Sequence, residues 1–290
     1  MQKNLKENCL ESLQQCVDIA FKRNNQPENN SAYCPKSKES IYADFEFMIN
    51  NPNSLVVGLF SNDVLLGVLG CFTNPDNNWV DCIGPFFAND WDQDNAKAMF
   101  AFAKSKLTKA VQFNFYFDAR NKNLHQLMDA LSAKRKDNEY VLMLEKCDYK
   151  PQQLMQNIVM YSDKFENDVI KLHDATHIGL YVTGKDIVNS VGKDREVFCA
   201  LDENGLFVGY GVLKRYDNTG HMTAEIFAVA KAARGNGYGW ALLNTVVDCA
   251  LNKHNANTID LVVDKLNTHA SNLYYSCGFK LVVENSSYFN

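Results

Sequence analysis

The chain carries, from Glu225 to Gly239, the sequence EIFAVAKAARGNGYG, which passes from an apolar run into a glycine-rich turn. Apolar residues then recur at helical spacing and form one face: Leu243, Val246, Val247, Ala250 and Leu251. The turn therefore joins a strand to the start of a helix, where the first backbone N–H groups have no partner within the helix. The helix dipole favours negative charge there, and glycines let the backbone approach a ligand closely. We therefore predict a phosphate or pyrophosphate site at this turn.

The spacing of the glycines narrows the class of phosphate ligand. Gly235, Gly237 and Gly239 do not have the G-x-G-x-x-G spacing of a dinucleotide fold, and the chain contains no P-loop string. The arrangement R-x-x-G-x-G after a strand, with Val229 five residues before Arg234, resembles the coenzyme A loop of the GNAT superfamily of N-acetyltransferases. The alternative is a glycine-rich left-handed turn with a structural role only.

A second stretch, from Asn267 to Phe279, supports the same resemblance. It follows an alternating, strand-like run from Thr258 to Val263. It matches every fixed position of the family pattern N-x-x-A-x-x-L-Y-x-x-x-G-F. The two motifs occur in the family's order, and the resemblance covers roughly residues 165 to 290.

The resemblance implies acetyl-CoA as co-substrate and no metal. The residues implied to bind coenzyme A are Phe227, Ala228, Val229, Arg234, Gly235, Asn236, Gly237, Tyr238, Gly239, Asn267 and Asn272. It also implies that backbone N–H groups near Ala228 to Ala230 polarise the thioester carbonyl, which needs no particular side chain. For Asn267 the alternative is an ordinary turn residue that follows a strand.

Two residues are predicted to be catalytic. Tyr274 would protonate or hydrogen-bond the sulfur of the leaving coenzyme A, and the alternative is a packed aromatic side chain. Glu225, at the start of the motif strand, resembles the acidic residue that often serves as general base in the family, directly or through water. Its alternative is a solvated carboxylate at a strand end.

The histidines and cysteines give no motif of their own. His173 and His177 are four apart on a predicted helix from Val169 to His177, a spacing that could hold a metal. No motif places a third ligand and H-E-x-x-H is absent, so we expect histidines of the substrate cleft or of the solvated surface. The nine cysteines lack C-x-x-C spacing, which predicts buried free thiols in a reducing compartment.

Composition predicts an ordinary cytoplasmic enzyme. The chain is 46% hydrophobic and 22% charged, its polar start predicts no signal peptide, and no apolar run approaches the length of a membrane span. A net charge of −5 argues against nucleic acid as the main partner and is compatible with a cationic amine. A tandem chain can supply internally the contacts that single-domain relatives obtain by dimerising, so a monomer or weak homodimer is expected.

The 290 residues are about twice what one acetyltransferase domain needs, and the chain matches itself at an offset of 146. The strand-like residues 111–117 then fall opposite 257–263. Further upstream, residues 55–67 resemble 197–209, and both read as strand, polar turn, strand. The sequence therefore predicts two copies of one fold, joined by a polar connector at 146–156.

The copies differ where the chemistry lies. By the 146 offset, the coenzyme A loop falls opposite residues 88–94, which contain no glycine, no arginine and three carboxylates that would repel a pyrophosphate. Met128 falls opposite Tyr274 and has no proton to donate. We predict that 1–148 is a degenerate GNAT-like domain and that 149–290 is the catalytic domain, a layout known in the superfamily. The alternative is a second coenzyme A site of unusual sequence.

The predicted fold class is therefore α/β (α+β), with two tandem GNAT-like domains, each a mixed, mostly antiparallel sheet flanked by helices. The family implies that the fourth and fifth strands splay apart and that coenzyme A enters the gap. The predicted function is transfer of an acetyl group from acetyl-CoA to a primary amine of a small molecule or peptide, by direct attack in a ternary complex. We expect acceptor contacts from residues 172–188, with Tyr181 and Asp186 as candidates, and from Asp90 to Asp94.

Two other functions are weighed against this one. A non-catalytic acyl-CoA-binding or sensing protein would keep the loop without needing the acid and the base. A transferase that uses aminoacyl-tRNA fits poorly, because the chain is acidic and its coenzyme A loop is intact.

Overall fold

The structure is a computed structural model that describes residues 3–290 except 75–77, 152–156, 179–181 and 217–219. The candidate acceptor residue Tyr181 and part of the predicted connector at 146–156 lie outside the described residues. The chain forms two compact units. Unit 1 comprises Met1–Glu139 with Val283–Asn290, and unit 2 comprises Tyr140–Val282.

Unit 1 alternates helices with strands. Its helices are α1 (Leu13–Asn24), α2 (Lys38–Asn50), α3 (Gln93–Lys106) and α4 (Lys122–Ala130). Its strands are β1 (Lys3–Glu7), β2 (Leu55–Ser61), β3 (Val64–Thr73), β4 (Trp79–Phe87), β5 (Gln112–Asp118) and β6 (Lys134–Arg135), together with the part of the last strand, β13 (Lys280–Phe289), that follows Val282.

The sheet of unit 1 has the order β1-β2-β3-β4-β5-β13, with β6 beside β13. Neighbouring strands are antiparallel except β4 and β5, which are parallel. Successive side chains on a strand point to opposite faces, so the alternating apolar residues create two cores. Helices α3 and α4 cover one face and α1 and α2 cover the other.

Unit 2 has the same arrangement of elements. Its helices are α5 (Glu166–Thr176), α6 (Gly184–Ser190), α7 (Tyr238–Asp248) and α8 (Thr268–Ser276). Its strands are β7 (Glu139–Glu145), which enters the unit at Tyr140, β8 (Ile158–Met160), β9 (Arg195–Leu201), β10 (Phe207–Arg215), β11 (His221–Val229) and β12 (Thr258–Asp264).

The sheet of unit 2 has the order β7-β12-β11-β10-β9-β8. Strands β8 to β11 pair antiparallel, whereas β11 and β12 are parallel. Helices α5 and α6 pack on one face, and α7 packs on the other. Leu242, Leu243, Val246 and Val247 of α7 are almost fully buried there. Each contributes about 1.5–3 kcal/mol by burial, which anchors the start of α7 from behind.

The structure confirms the predicted fold class, with mostly antiparallel sheets flanked by helices in both units. The offset of 146 holds for β5 and β12 and for α4 and α8, whose bounds correspond residue by residue. Each unit takes its last strand from the other half of the chain, because β13 pairs with β5 over five residues and β7 lies beside β12. The boundary predicted after residue 148 remains a prediction about the two copies, whereas the compact units change after Glu139 and again after Val282.

Candidate functional site

The parallel strands β11 and β12 separate before they end. Their pairing covers only His221–Thr223 against Thr258–Asp260, although β11 continues to Val229 and β12 to Asp264. The predicted splay between these strands is therefore present, and it leaves one edge of β11 without a strand partner among the described residues. That edge forms a gap in the sheet of unit 2.

Backbone groups of β11 alternate between its neighbour β10 and this gap. The N–H of Ala230 donates to the carbonyl of Val208 at 2.8 Å, so the even-numbered residues here bond towards β10. The carbonyls of Phe227 and Val229 instead accept from the side chains of His177 (3.3 Å) and Arg234 (3.1 Å). Because the N–H and C=O of one strand residue point the same way, the N–H groups of Phe227 and Val229 face the gap.

This alternation narrows the predicted oxyanion contact. Of the expected range from Ala228 to Ala230, only Val229 directs its N–H towards the gap, because Ala228 and Ala230 bond towards β10. A free N–H at this point can polarise a carbonyl placed in the gap.

The glycine-rich turn leaves the N-terminus of α7 open. Gly235 and Gly237 have φ of 83° and 84°, a left-handed conformation that favours glycine. Gly237 is the residue that caps α7, and no side chain accepts from the first N–H groups of the helix. These groups have no partner within the helix, so they form an anion site, and the exposed cation of Arg234 lies beside it.

The two sequence motifs meet in one cavity of about 520 Å³. Its lining includes Phe227, Ala228, Val229, Arg234, Gly235, Gly237, Tyr238, Gly239, Asn267 and Tyr274, all predicted site residues. Thr176, His177, Ala233, Trp240, His269, Ala270 and Leu273 complete it. The volume falls within the range of ordinary ligand sites.

Three predicted residues lie outside this lining. Asn236 bonds back to the carbonyl of Ala233 at 3.3 Å, and Asn272 is exposed on α8. Glu225 belongs to β11, but its side chain is 4% exposed and lies in an ion pair. Its two oxygens accept from Nε and Nη2 of Arg195 at 2.6 and 2.8 Å, and Lys214 Nζ is 3.6 Å away. The carboxylate is thus engaged by fixed cations rather than directed into the cavity.

Tyr274 faces the cavity from α8. Its ring lies 6.5 Å from that of Phe227 and 6.2 Å from that of Phe279, and its hydroxyl has no hydrogen-bond partner among the described residues. Burial is the main reason that its pKa rises to about 12, with a smaller contribution from Cys277. The phenol is therefore protonated at neutral pH and can donate a hydrogen bond into the cavity.

Asn267 has a structural task as well as a place in the cavity. Its side-chain oxygen accepts from the N–H of Ala270 at 3.2 Å and so caps α8. This fixes the start of the helix that carries Tyr274 and leaves the amide NH₂ of Asn267 to face the cavity.

Residues 163–279 match the model of the Acetyltransferase (GNAT) family. Over these residues the chain is therefore similar to that acetyltransferase family. Family and fold imply acyl transfer from an acyl-CoA. No curated protein matches the chain in sequence.

Solved structures share the fold over the whole chain. The GCN5-related N-acetyltransferase from Sphaerobacter thermophilus aligns with a TM-score of 0.77 at 12% identity, over 99% of this chain and 95% of that one. A tandem GNAT protein from the clavulanic acid biosynthesis pathway aligns with a TM-score of 0.70 at 13% identity, over 100% and 98%. At such identities the likeness shows the fold, which is that of a tandem GNAT protein.

His173 and His177 of unit 2 differ in their surroundings. His173 is 1% exposed and bonds the Tyr210 hydroxyl and the Val182 carbonyl. His177, one helical turn later, lines the cavity. The i, i+4 spacing in the sequence was the available signal for His177. Other lining residues that sequence reasoning did not name, such as Trp240 and His269, carry no such signal.

The clusters of residues that could hold a metal ion lie outside the cavity of unit 2, among the residues that the structure describes. Among the described residues, Glu196, Cys249 and His254 are grouped closely enough to hold an ion. Lys253 Nζ is 3.0 Å from the carboxylate of Glu196 and Arg215 Nε is 3.8 Å from it, so an ion there would meet two fixed cations. A second group consists of three exposed residues, Glu145, Cys147 and Asp148.

All nine cysteines are free thiols, and six of them are buried, among them Cys71, Cys82, Cys199 and Cys249. The predicted burial is wrong for Cys147, which is exposed, and Cys9 and Cys277 are only partly buried. Outside the four internal gaps and the first two residues, no helix combines the length and the apolarity that a membrane crossing requires.

Unit 1 has the same strand split, but its own side chains occupy the corresponding positions. Strands β4 and β5 pair only over Trp79–Cys82 and Gln112–Phe115. The loop between β4 and α3 spans residues 88–92, whereas the loop between β11 and α7 of unit 2 spans 230–237. The loop of unit 1 is three residues shorter, so the 146 offset does not hold within it. Asp92 caps α3 by accepting from the N–H of Asn95 at 3.1 Å. The N-terminus that could bind an anion is therefore already occupied by a carboxylate.

The carbonyls at the strand end of unit 1 already have a hydrogen-bond donor. Arg23 of α1 donates to the carbonyls of Phe87, Ala88 and Asn89 at 2.7, 2.9 and 2.6 Å. Met128, at the position of Tyr274, is fully buried.

Proposed function

We propose that this protein transfers an acetyl group from acetyl-CoA to a primary amine at a single site in unit 2. One observation carries the proposal: a single cavity contains an uncapped helix N-terminus, a strand-end N–H that faces the gap, and a protonated phenol. These are the three groups that acyl transfer from a thioester needs for binding, for polarising the carbonyl and for the leaving sulfur.

The pyrophosphate of coenzyme A would be bound by the first N–H groups of α7 and by Arg234. Hydrogen bonds that involve a charged group contribute about 1.5–3 kcal/mol each, so two or three of them contribute roughly 3–9 kcal/mol to binding. The thioester would then lie in the gap with its carbonyl on the N–H of Val229. Asn267 would bind the pantetheine arm with its free NH₂.

Tyr274 would act on the leaving group as a hydrogen-bond donor. An ordinary thiol has a pKa of about 8.5, well below the value of about 12 for Tyr274. A complete proton transfer from the phenol to the thiolate would therefore be uphill, whereas a hydrogen bond stabilises the negative sulfur as it forms.

The acceptor would be a small-molecule or peptide amine, because a chain of net charge −5 suits a cationic substrate better than nucleic acid. Asp186, one of the predicted acceptor residues, accepts from the N–H and the hydroxyl of Thr183 at the start of α6, so its carboxylate is engaged as a helix cap. We further propose a cytoplasmic location, a monomer or weak homodimer, and no metal requirement.

Calorimetric titration of acetyl-CoA tests the binding half of the proposal. Wild type should bind one molecule per chain, and Arg234→Glu should lose this binding. Lys171→Glu is the matched control, since it makes the same charge change on an exposed position of α5 outside the cavity. Two sites per chain would contradict the single site, and equal binding by both variants would exclude Arg234 from it.

Turnover separates an enzyme from a binding module. Release of free coenzyme A thiol should require both the protein and an amine, with amino sugars, polyamines and peptide N-termini as the classes to screen. A wild type that binds acetyl-CoA with one site and acetylates none of these amines would favour the non-catalytic acyl-CoA-binding protein.

A further inference from the structure

His177 is a titratable side chain of the cavity to which the mechanism above gives no task. It ends α5 and lines the cavity together with Thr176. Its Nε2 lies 3.3 Å from the carbonyl oxygen of Phe227. A carbonyl can only accept, so Nε2 carries the hydrogen and Nδ1 retains a lone pair. The side chain can therefore accept a proton at Nδ1.

A buried neighbour fixes this orientation. The rings of His173 and His177 lie 5.1 Å apart. His173 is itself fixed at both nitrogens, by the Tyr210 hydroxyl at 2.6 Å and by the Val182 carbonyl at 2.9 Å. The tautomers of both histidines are thus assigned by backbone carbonyls, and His177 packs against a side chain that cannot move without breaking two bonds.

The surroundings keep His177 neutral. Burial, and then the proximity of His173, hold the pKa of His177 below its usual 6.5, and the bond to Phe227 opposes them more weakly. The titratable and charged groups around the same cavity are Tyr274 and His269 on α8, and Arg234 and Tyr238 before and at the start of α7; on the other side, Tyr210 of β10 lies behind His173. None of these is an anion that would stabilise an imidazolium.

Glu225 is less suited than His177 to accept a proton from a substrate in the cavity. Both of its oxygens bond to Arg195, and it does not line the cavity, whereas His177 does. Phe227 lies between His177 and Tyr274, because its carbonyl bonds His177 and its ring is 6.5 Å from that of Tyr274. The proposed base and the proposed hydrogen-bond donor therefore lie around the same gap-facing residue.

We propose that His177 is the general base that deprotonates the acceptor amine. The inference rests on the proposed acetyl transfer and goes beyond it by assigning the proton acceptor. Nδ1 takes one proton from the substrate ammonium, and the free amine attacks the thioester carbon. The C–N bond forms, the C–S bond breaks, and the electron pair of that bond leaves with sulfur. The nitrogen loses its second proton, so that one proton ends on the coenzyme A thiol and one is released to solvent.

The test is the pH dependence of kcat/KM for an amine that wild type acetylates. His177→Gln keeps an NH₂ that can donate to Phe227 but cannot accept a proton at neutral pH. We expect a loss of about 100-fold in kcat/KM. We also expect the acid limb of the profile, which lies below about pH 6.5 in wild type because the base must be unprotonated, to disappear. The Kd for acetyl-CoA should stay within about threefold, and added imidazole should restore part of the activity of His177→Ala.

His221→Gln is the matched control. His221 lies on the same strand as Phe227 but outside the cavity, where it bonds the Thr258 hydroxyl, so its replacement should leave the acid limb in place. An active wild type whose His177→Gln variant keeps both its rate and its acid limb would overturn the assignment, most clearly if Glu225→Gln removes that limb. A wild type that binds acetyl-CoA and acetylates no amine fails at an earlier step, and that result removes the proposed function together with its base.

Discussion

The two loops that follow the split strands begin from the same backbone frame and end with opposite chemistry. In unit 1, β4 leads through five residues to α3, whose N-terminus is capped by Asp92. In unit 2, β11 leads through eight residues to α7, whose N-terminus begins at Gly237 with no side-chain cap. A helix N-terminus always offers N–H groups, and the difference lies in whether the chain itself supplies the acceptor.

The comparison shows that one backbone arrangement can carry different side chains at the end of its split strands. The strand split is present in both units, so the gap is a property of the architecture. Besides the length of the loop, a small number of side chains distinguishes the units: a carboxylate at one helix start and a glycine at the other, with Met128 where the other unit has Tyr274. The loop length needs an insertion, whereas the side chains can be exchanged singly.

The largest effect should come from giving unit 2 the cap of unit 1. In Gly237→Asp the new carboxylate would accept from the first N–H groups of α7 and occupy the position of the pyrophosphate. Losing two charge-assisted hydrogen bonds corresponds to roughly a 1,000-fold weaker Kd for acetyl-CoA, measured by calorimetry.

Gly237→Asn separates charge from backbone strain in this experiment. Asparagine has the same shape as aspartate and meets the same left-handed φ of 84°, but it brings no charge. Its loss of affinity should be clearly smaller than that of Gly237→Asp. Equal losses would mean that the conformation of the turn, and not the free N-terminus, determines binding.

The second largest effect should come from replacing Tyr274, at whose position unit 1 has Met128. Tyr274→Phe removes the hydroxyl and keeps the ring that packs near Phe227 and Phe279. We expect kcat to fall about 100-fold while the Kd for acetyl-CoA changes little, because the hydroxyl acts on a charge that develops only in the transition state. Tyr274→Met, which copies unit 1, should lose at least as much. An unchanged kcat in Tyr274→Phe would remove the hydroxyl from the mechanism.

The sequence predicts this comparison in part. The offset of 146 pairs Met128 with Tyr274 and Asn121 with Asn267, and in the structure the two asparagines cap equivalent helices. Helical and strand periodicities locate these elements because they are local properties of the chain. Within the loop the offset fails, since three residues are absent from unit 1 and loop length follows no periodicity.

Long-range pairing explains what the sequence did not predict. The exchange of β7 and β13 between the units depends on which strand edge each one meets, and an alternating pattern does not encode that choice. The ion pair of Glu225 joins residues 30 positions apart on β9 and β11, and the contact of His177 with Phe227 spans 50 positions. These contacts determine which carboxylate is engaged and which imidazole lines the cavity. They form only in the folded chain.

A smaller effect, on stability, is expected from removing the arginine that bonds the strand end of unit 1. Arg23→Met removes the donors to the carbonyls of Phe87, Ala88 and Asn89, and should lower the free energy of unfolding by about 2 kcal/mol. Lys22→Met is the control, because Lys22 is exposed on the same helix. Urea unfolding followed by tryptophan fluorescence measures both. If the two variants are equally stable, the hydrogen bonds of Arg23 to the strand end contribute nothing to the free energy of unfolding.

The smallest effect tests the cap of unit 1 itself. Asp92→Ala should cost about 1 kcal/mol of stability at pH 7, and more than Asp94→Ala, whose carboxylate forms an exposed ion pair with Lys97. The N–H of Asn95, and then Lys3, hold the pKa of Asp92 below its usual range. The cap therefore stabilises fully above the unfolded pKa of about 3.9, and its contribution is lost as the pH falls through the lower, folded value. Unfolding of wild type and Asp92→Ala should accordingly converge in strong acid.

The Asp92→Ala variant should also bind no second acetyl-CoA, because the loop of unit 1 still lacks the glycines and the length of the loop of unit 2. A second site in Asp92→Ala would mean that one carboxylate alone keeps unit 1 from binding the cofactor.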